Sequence, residues 1–203
     1  MKKGFMLSLS LATVILLSSC GGKKSEEAAA EEPKTAADAI QQFTDKAKEM
    51  GNKEAVDPVD FRELKALLPE KTAGLARTEA TGEKTGAMGF TVSTAKGKYS
   101  NGQDATVDIE IIDTGGIAGV ATMAMAAWTM ADIDKETTTG YEKTTKIEGY
   151  KAFEKYDNQG KYGEVNVLVA DRYIVNVHAN SVTADQMKEV VADIDLGKLK
   201  DLK

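Results

Sequence analysis

Between Ala105 and Ile111 every second residue is apolar: Ala105, Val107, Ile109 and Ile111 alternate with Thr106, Asp108 and Glu110. Only an extended chain puts residues i, i+2 and i+4 on one face, so this stretch is a β-strand with one buried side. Met88, Phe90, Val92 and Thr94 repeat the period upstream, with a weaker signal from Leu75 to Thr81. Downstream it recurs at 141–147, 150–156, 162–170 and 173–179. The breaks between these runs are Asn101-Gly102, Glu148-Gly149, Asp157-Asn158-Gln159-Gly160 and Asp171-Arg172. Connections this short join antiparallel neighbours, and the later group therefore reads as a meander.

Helical periods surround the strands. Thr35-x-x-Asp38 opens a pattern with Ile40, Phe43, Ala47 and Met50 on one face and Gly51 as a stop. A second, short helix runs from Asp60 through Phe61, Glu63, Leu64 and Leu68 to Pro69. Gly115 to Ala131 reads as a third, and a last one starts at Thr183, where Gln186 completes a capping box and Met187, Val190, Val191 and Ile194 are the buried positions. The fold class expected is α+β, a largely antiparallel sheet of six to seven strands flanked by helices. The order of two helices, three strands, one helix, four strands and one helix resembles the α/β/α sandwich of the PsbP and Mog families over most of 57–203. That resemblance implies a sandwich and no single activity, because those families include photosystem-assembly, Ran-binding and small-molecule-binding members.

Cys20 is the only cysteine, which removes disulfides, zinc-cysteine sites and thiol catalysis together. Ahead of it stand basic Lys2 and Lys3 and an apolar stretch from Phe5 to Leu17. That stretch spans roughly 20 Å as a helix, short of the roughly 30 Å hydrocarbon core, as in a cleaved signal segment. Leu17-Ser18-Ser19-Cys20 resembles the bacterial lipobox. The resemblance implies a signal peptide over 1–19 and lipidation of Cys20; the Gly, Lys, Ser, Glu and Ala run from Gly21 to Glu32 cannot bury a core, so 20–34 is expected as a flexible tether and 35–203 as one α+β domain. Acyl chains on Cys20 would make the membrane its first partner. An ordinary secretory signal with a free thiol is the alternative. Gly21 is similar to the residue that follows the cysteine in lipoproteins sent to the outer membrane, and Lys23-Lys24-Ser25-Glu26-Glu27 loosely resembles the surface-export signals of Bacteroidetes lipoproteins. The expected location is the cell envelope, lipid-anchored at the outer membrane, on its periplasmic or surface face.

Removing Lys2 and Lys3 takes the 26 basic residues to 24 against 32 acidic ones, a mature net charge of −8. Nucleic acid and anionic headgroups need a positive patch, so this balance argues against both as partners. Ile111-Ile112-Asp113-Thr114-Gly115 resembles the active-site triplet of aspartic proteases of the retropepsin type. That chemistry needs two carboxylates sharing a proton, and one copy supplies them only in a symmetric dimer. The structural expectation is that Asp113 or Thr114 caps the following helix while Gly115 and Gly116 make the turn. Gly115-Gly116-x-x-Gly119 lacks the glycine at 114 and the lysine of phosphate-binding loops. Asp132-x-Asp134-x-Glu136 lacks the calcium-loop glycine and glutamate, since Thr137 and Lys143 occupy those places, and reads as the solvated end of a helix.

His178, the only histidine, has no visible nucleophile or second ligand and reads as structural. Asp108, Glu110, Lys143, Lys151, Glu154 and Glu164 read as a solvated edge or face of the sheet. From Thr114 to Ala131 no residue is charged, and Met123, Met125, Trp128 and Met130 are the candidate ligand-binding side chains of that helix. No metal and no cofactor is expected. No motif names a reaction. The functional expectation is a non-enzymatic binding module for an apolar small molecule or an envelope protein. The alternatives are an envelope assembly factor acting through protein contacts, or a retropepsin-like protease through Asp113-Thr114-Gly115.

Overall fold

The computed structural model describes residues 56–87, 90–116, 128–129 and 131–202. The signal segment, Cys20, the tether, the helix expected from Thr35, and Met123, Met125 and Met130 lie outside these residues. The strands are β1 (Lys71–Thr72), β2 (Leu75–Ala87), β3 (Phe90–Ser100), β4 (Thr106–Asp113), β5 (Asp134–Glu136), β6 (Gly140–Ile147), β7 (Tyr150–Asp157), β8 (Tyr162–Val169) and β9 (Tyr173–Asn180). They form one sheet in the order β1-β2-β3-β4-β9-β8-β7-β6-β5, with every neighbouring pair antiparallel. Two meanders thus meet where β4 pairs with β9.

The sheet has nine strands rather than six to seven, and the described residues are mostly β. The additions are the short edge strands β1 and β5, of two and three residues. Runs that short contain no full period to detect. Asp134 and Glu136, expected at a helix end, belong to β5 and pair with Lys143 and Tyr141. The strand expected at Leu75 to Thr81 continues to Ala87 through polar residues whose partners on β3 supply the pairing. Asn101-Gly102 is not a two-residue turn: residues 101–105 connect the strands, and only Gly102 has positive φ. The Asn101 side chain accepts from Gln103 N at 2.9 Å, forming an Asx turn that replaces the tight one. Glu148-Gly149 is the two-residue connection, with φ of 51° and 85°.

One face of the sheet carries the main core. Val107, Ile109 and Ile111 of β4, Val175 and Val177 of β9, and Val165 and Val167 of β8 are buried together on it. Three helices lie over this face: α1 (Phe61–Ala66), α2 (Ala184–Ala192) and α3 (Leu196–Asp201). Asp60 caps α1 by accepting from Arg62 N, and Thr183 and Gln186 close a reciprocal capping box on α2. α1 packs on β2, β3 and β4, whereas α2 packs on β8 and β9. Of the helix expected from Gly115 to Ala131, Trp128 and Thr129 are helical and residues 117–127 and 130 lie outside the description.

Gly163 lets α2 approach β8, because a Cβ there would lie 2.8 Å from Met187 Cγ. Gly163→Val is therefore expected to push Met187 off its seat and destabilise the fold by about 1–3 kcal/mol, read as a lower urea midpoint with unchanged slope.

Candidate binding cleft

Asp113 ends β4 fully buried, and its carboxylate is occupied on both oxygens. Oδ1 accepts from Gly115 N at 2.8 Å and Arg172 Nε at 2.8 Å. Oδ2 accepts from Val59 N at 2.9 Å and Arg172 Nη2 at 2.7 Å. Charge-assisted, bidentate bonding of this kind suits a carboxylate that joins chain segments. Here those are the strap before α1, the end of β4 and the β8–β9 turn. The Asp113 carboxylate raises the Arg172 guanidinium above its ordinary pKa, against the opposing effect of burial. Thr114 Oγ1 donates to Arg172 O at 2.9 Å, and Gly115 and Gly116 turn the chain at positive φ. A carboxylate with four donors in place has no lone pair directed at a free water.

Trp128 sits on the opposite face of the sheet. It is 7% exposed, shares a buried cluster with Ile174, and touches Ile112, Ile133, Phe153 and Leu168 around it. Its ring stacks on Phe153 with centroids 6.3 Å apart. Trp128 is therefore packed against an apolar corner of that face. Beside it lies an open polar hollow of about 300 Å³ lined by Asp132, Thr144, Thr145, Lys146 and Lys151, with Lys151 Nζ donating to Thr129 O at 2.6 Å.

The more enclosed feature is on the helix side. Because α2 sits over β8 and β9, its flank leaves a wedge above β6 and β7, a cleft of about 330 Å³. Ile147, Val165, Val191 and Ala192 form apolar walls, and Thr145 completes the strand side. Glu154 lies among them, 9% exposed. Its Oε1 accepts from Tyr141 Oη at 2.7 Å and its Oε2 pairs with Lys143 Nζ at 3.2 Å. Burial, then the bond to Glu154, pushes the Tyr141 phenol well above its ordinary pKa, so it stays a donor. Lys146, Glu148 and Lys188 stand around the mouth, so the cleft's two cations and two anions cancel.

Sequence reasoning missed this cleft because it placed Glu154 and Lys143 on a solvated face. Both point to the helix-covered side: Glu154 shares parity with buried Ala152 and Tyr156, and Lys143 is its cross-strand partner. That parity was the available signal. Asp108, Glu110, Lys151 and Glu164 do lie on the other face, as does His178, whose Nδ1 is 3.5 Å from Tyr162 Oη. Among the described residues no group of three or more His, Cys, Asp or Glu is placed to hold a metal ion, and no helix is long and apolar enough to cross a membrane.

The fold and cleft define a mostly β protein built on one antiparallel sheet with helices over one face. No protein-family model, curated protein or solved structure matches the chain.

Proposed function

We propose that this chain is a membrane-tethered, non-enzymatic binding module whose ligand is a small, largely apolar molecule. The observation that carries the reading is the cleft beside α2, with apolar walls, a balanced set of charges and one buried carboxylate. Small-molecule sites are typically apolar hollows with a few placed polar groups, and about 330 Å³ falls at the lower end of their volumes. Glu154 has lone pairs beyond those used by Tyr141 and Lys143, so a hydroxyl or N–H on the ligand would be its natural complement. The saturated Asp113 favours a structural over a protease role for the triplet. Lipidation of Cys20 and outer-membrane attachment belong to the same proposal and rest on the lipobox resemblance.

The probe is N-phenylnaphthylamine, a neutral arylamine with one N–H that brightens in apolar surroundings. Saturable brightening is expected with the native protein, and Ala192→Trp, which narrows the cleft from the exposed flank of α2, should weaken it at least about tenfold. Equal brightening in both proteins, or none in either, refutes the assignment of the cleft.

A further inference from the structure

The second face carries a rung of charges that runs across eight strands. In register it reads Glu79, Lys98, Asp108, His178, Glu164, Lys155, Glu142 and Lys135, on β2, β3, β4, β9, β8, β7, β6 and β5. Apart from His178, acids and bases alternate along it. Neighbours on the rung already form some ion pairs, Lys98 with Glu79 at 2.9 Å and Lys155 with Glu142 at 3.0 Å. The side chains still reach solvent: Lys98, Lys155 and Lys135 are 58%, 42% and 59% exposed. Asp108, near the centre, is exposed, and its charge acts on Lys98 beside it.

An alternating row with an even number of places is complementary to itself when reversed. Rotation by a half-turn about an axis parallel to the strands, between β9 and β8, lays the rung on a second rung running the other way. Three pairs then join opposite charges, Glu79 with Lys135, Lys98 with Glu142 and Asp108 with Lys155 of the second copy, and His178 offers a ring N–H to Glu164. No position meets a like charge.

We infer that the second face is an isologous self-association surface, its occupant a second copy of this chain. The argument is charge complementarity, which any other protein would have to reproduce but a second copy already contains. Strands in a sheet rotate by about 20–25° from one to the next, so two sheets laid face to face stay close only near the axis. The inner pairs, His178 with Glu164 and Asp108 with Lys155, therefore carry the contact, each occurring twice by symmetry. An interface of charged pairs in reach of water is salt-sensitive. It is independent of the cleft, which lies on the opposite side of the sheet.

Sedimentation of the full chain in a nonionic detergent tests this. A dimer is expected at about 50 mM salt, with association weakened at least about tenfold at about 500 mM. Lys155→Glu, which sets two acids against each other twice over, should weaken it at least about a hundredfold, and Asp108→Lys with Lys155→Glu should restore it to within about tenfold. The charge-independent variant pairs Asp108→Cys with Lys155→Cys. Within one chain these positions are three strand spacings apart, about 14 Å, too far for a disulfide, whereas two associated copies bring them together. A monomer at low salt, a dimer indifferent to Lys155→Glu, a double charge variant that stays monomeric, or cysteine pairs that never link two chains would each overturn the inference.

Discussion

Asp113→Ala is expected to lower the unfolding free energy by about 3–5 kcal/mol, the usual result of removing one member of a buried ion pair. The size follows from what is left behind. Arg172, with its side chain 16% exposed, loses both carboxylate bonds. The N–H groups of Val59 and Gly115 lose their acceptor at the same time. Three chain segments are freed by one substitution, and the strap at Val59 is also the lead into α1. Asp113→Asn should fail for a related reason, because an amide nitrogen would face donors from Arg172 or Val59. Urea unfolding of Asp113→Ala, Arg172→Met and the double variant gives the coupling between the two side chains. The double variant should be less destabilised than the two single effects combined. A cost below about 1 kcal/mol for Asp113→Ala would contradict the structural role assigned to the pair.

Raising the pH past 10 is expected to unfold the protein in steps set by its tyrosines. Burial pushes Tyr99 and Tyr173 each up to about 12 from an ordinary value of 10.0, and both rings are 1% exposed. Their hydroxyls donate to Pro69 O at 2.9 Å and Leu202 O at 3.1 Å, bonds that require the protonated phenol. In the unfolded chain the same groups ionise near pH 10. The unfolded state therefore releases protons first, so this contribution is fully present below about pH 10 and is lost as the pH rises towards 12. Each group adds about 1.4 kcal/mol per pH unit to the slope in that window. Tyr99→Phe should start from lower stability, having lost one hydrogen bond, yet show a shallower decline. A flat stability profile between about pH 10 and 12 would show that these phenols ionise without unfolding.

Much of the strand layout was readable because a strand writes its parity into consecutive residues. The runs at 150–156 and 173–179, the helix start at Asp60 and the cap pair Thr183 with Gln186 are set within a few residues, and they are found where expected. β1 and β5 left no trace, since they owe their extended form to the neighbours that pair with them. α3 was missed as well. Its six residues, with Leu196 and Leu199 buried, are too few for a recurring helical period. The cleft was hidden for a different reason. Glu154 carries a charge at an inward position, and the charge was weighed above the alternation of Ala152 and Tyr156 on either side. What tolerates it there is Tyr141 and Lys143 on the neighbouring strand, a pairing that parity within β7 alone does not show.

By itself the sequence determined the local conformation of its longer strands and their antiparallel hairpins. Backbone geometry turns a period of two into a two-faced strand whatever lies beside it. Tertiary structure alone decided that β4 closes on β9, which brings Glu110 within 3.1 Å of Asn176 across 66 residues of chain. It decided likewise that Asp113 meets Arg172, that α2 leaves a wedge over β6 and β7, and that scattered charges line up into one rung. Those arrangements depend on which apolar faces and sheet edges meet in space, and contact between distant segments leaves no periodic mark on either of them.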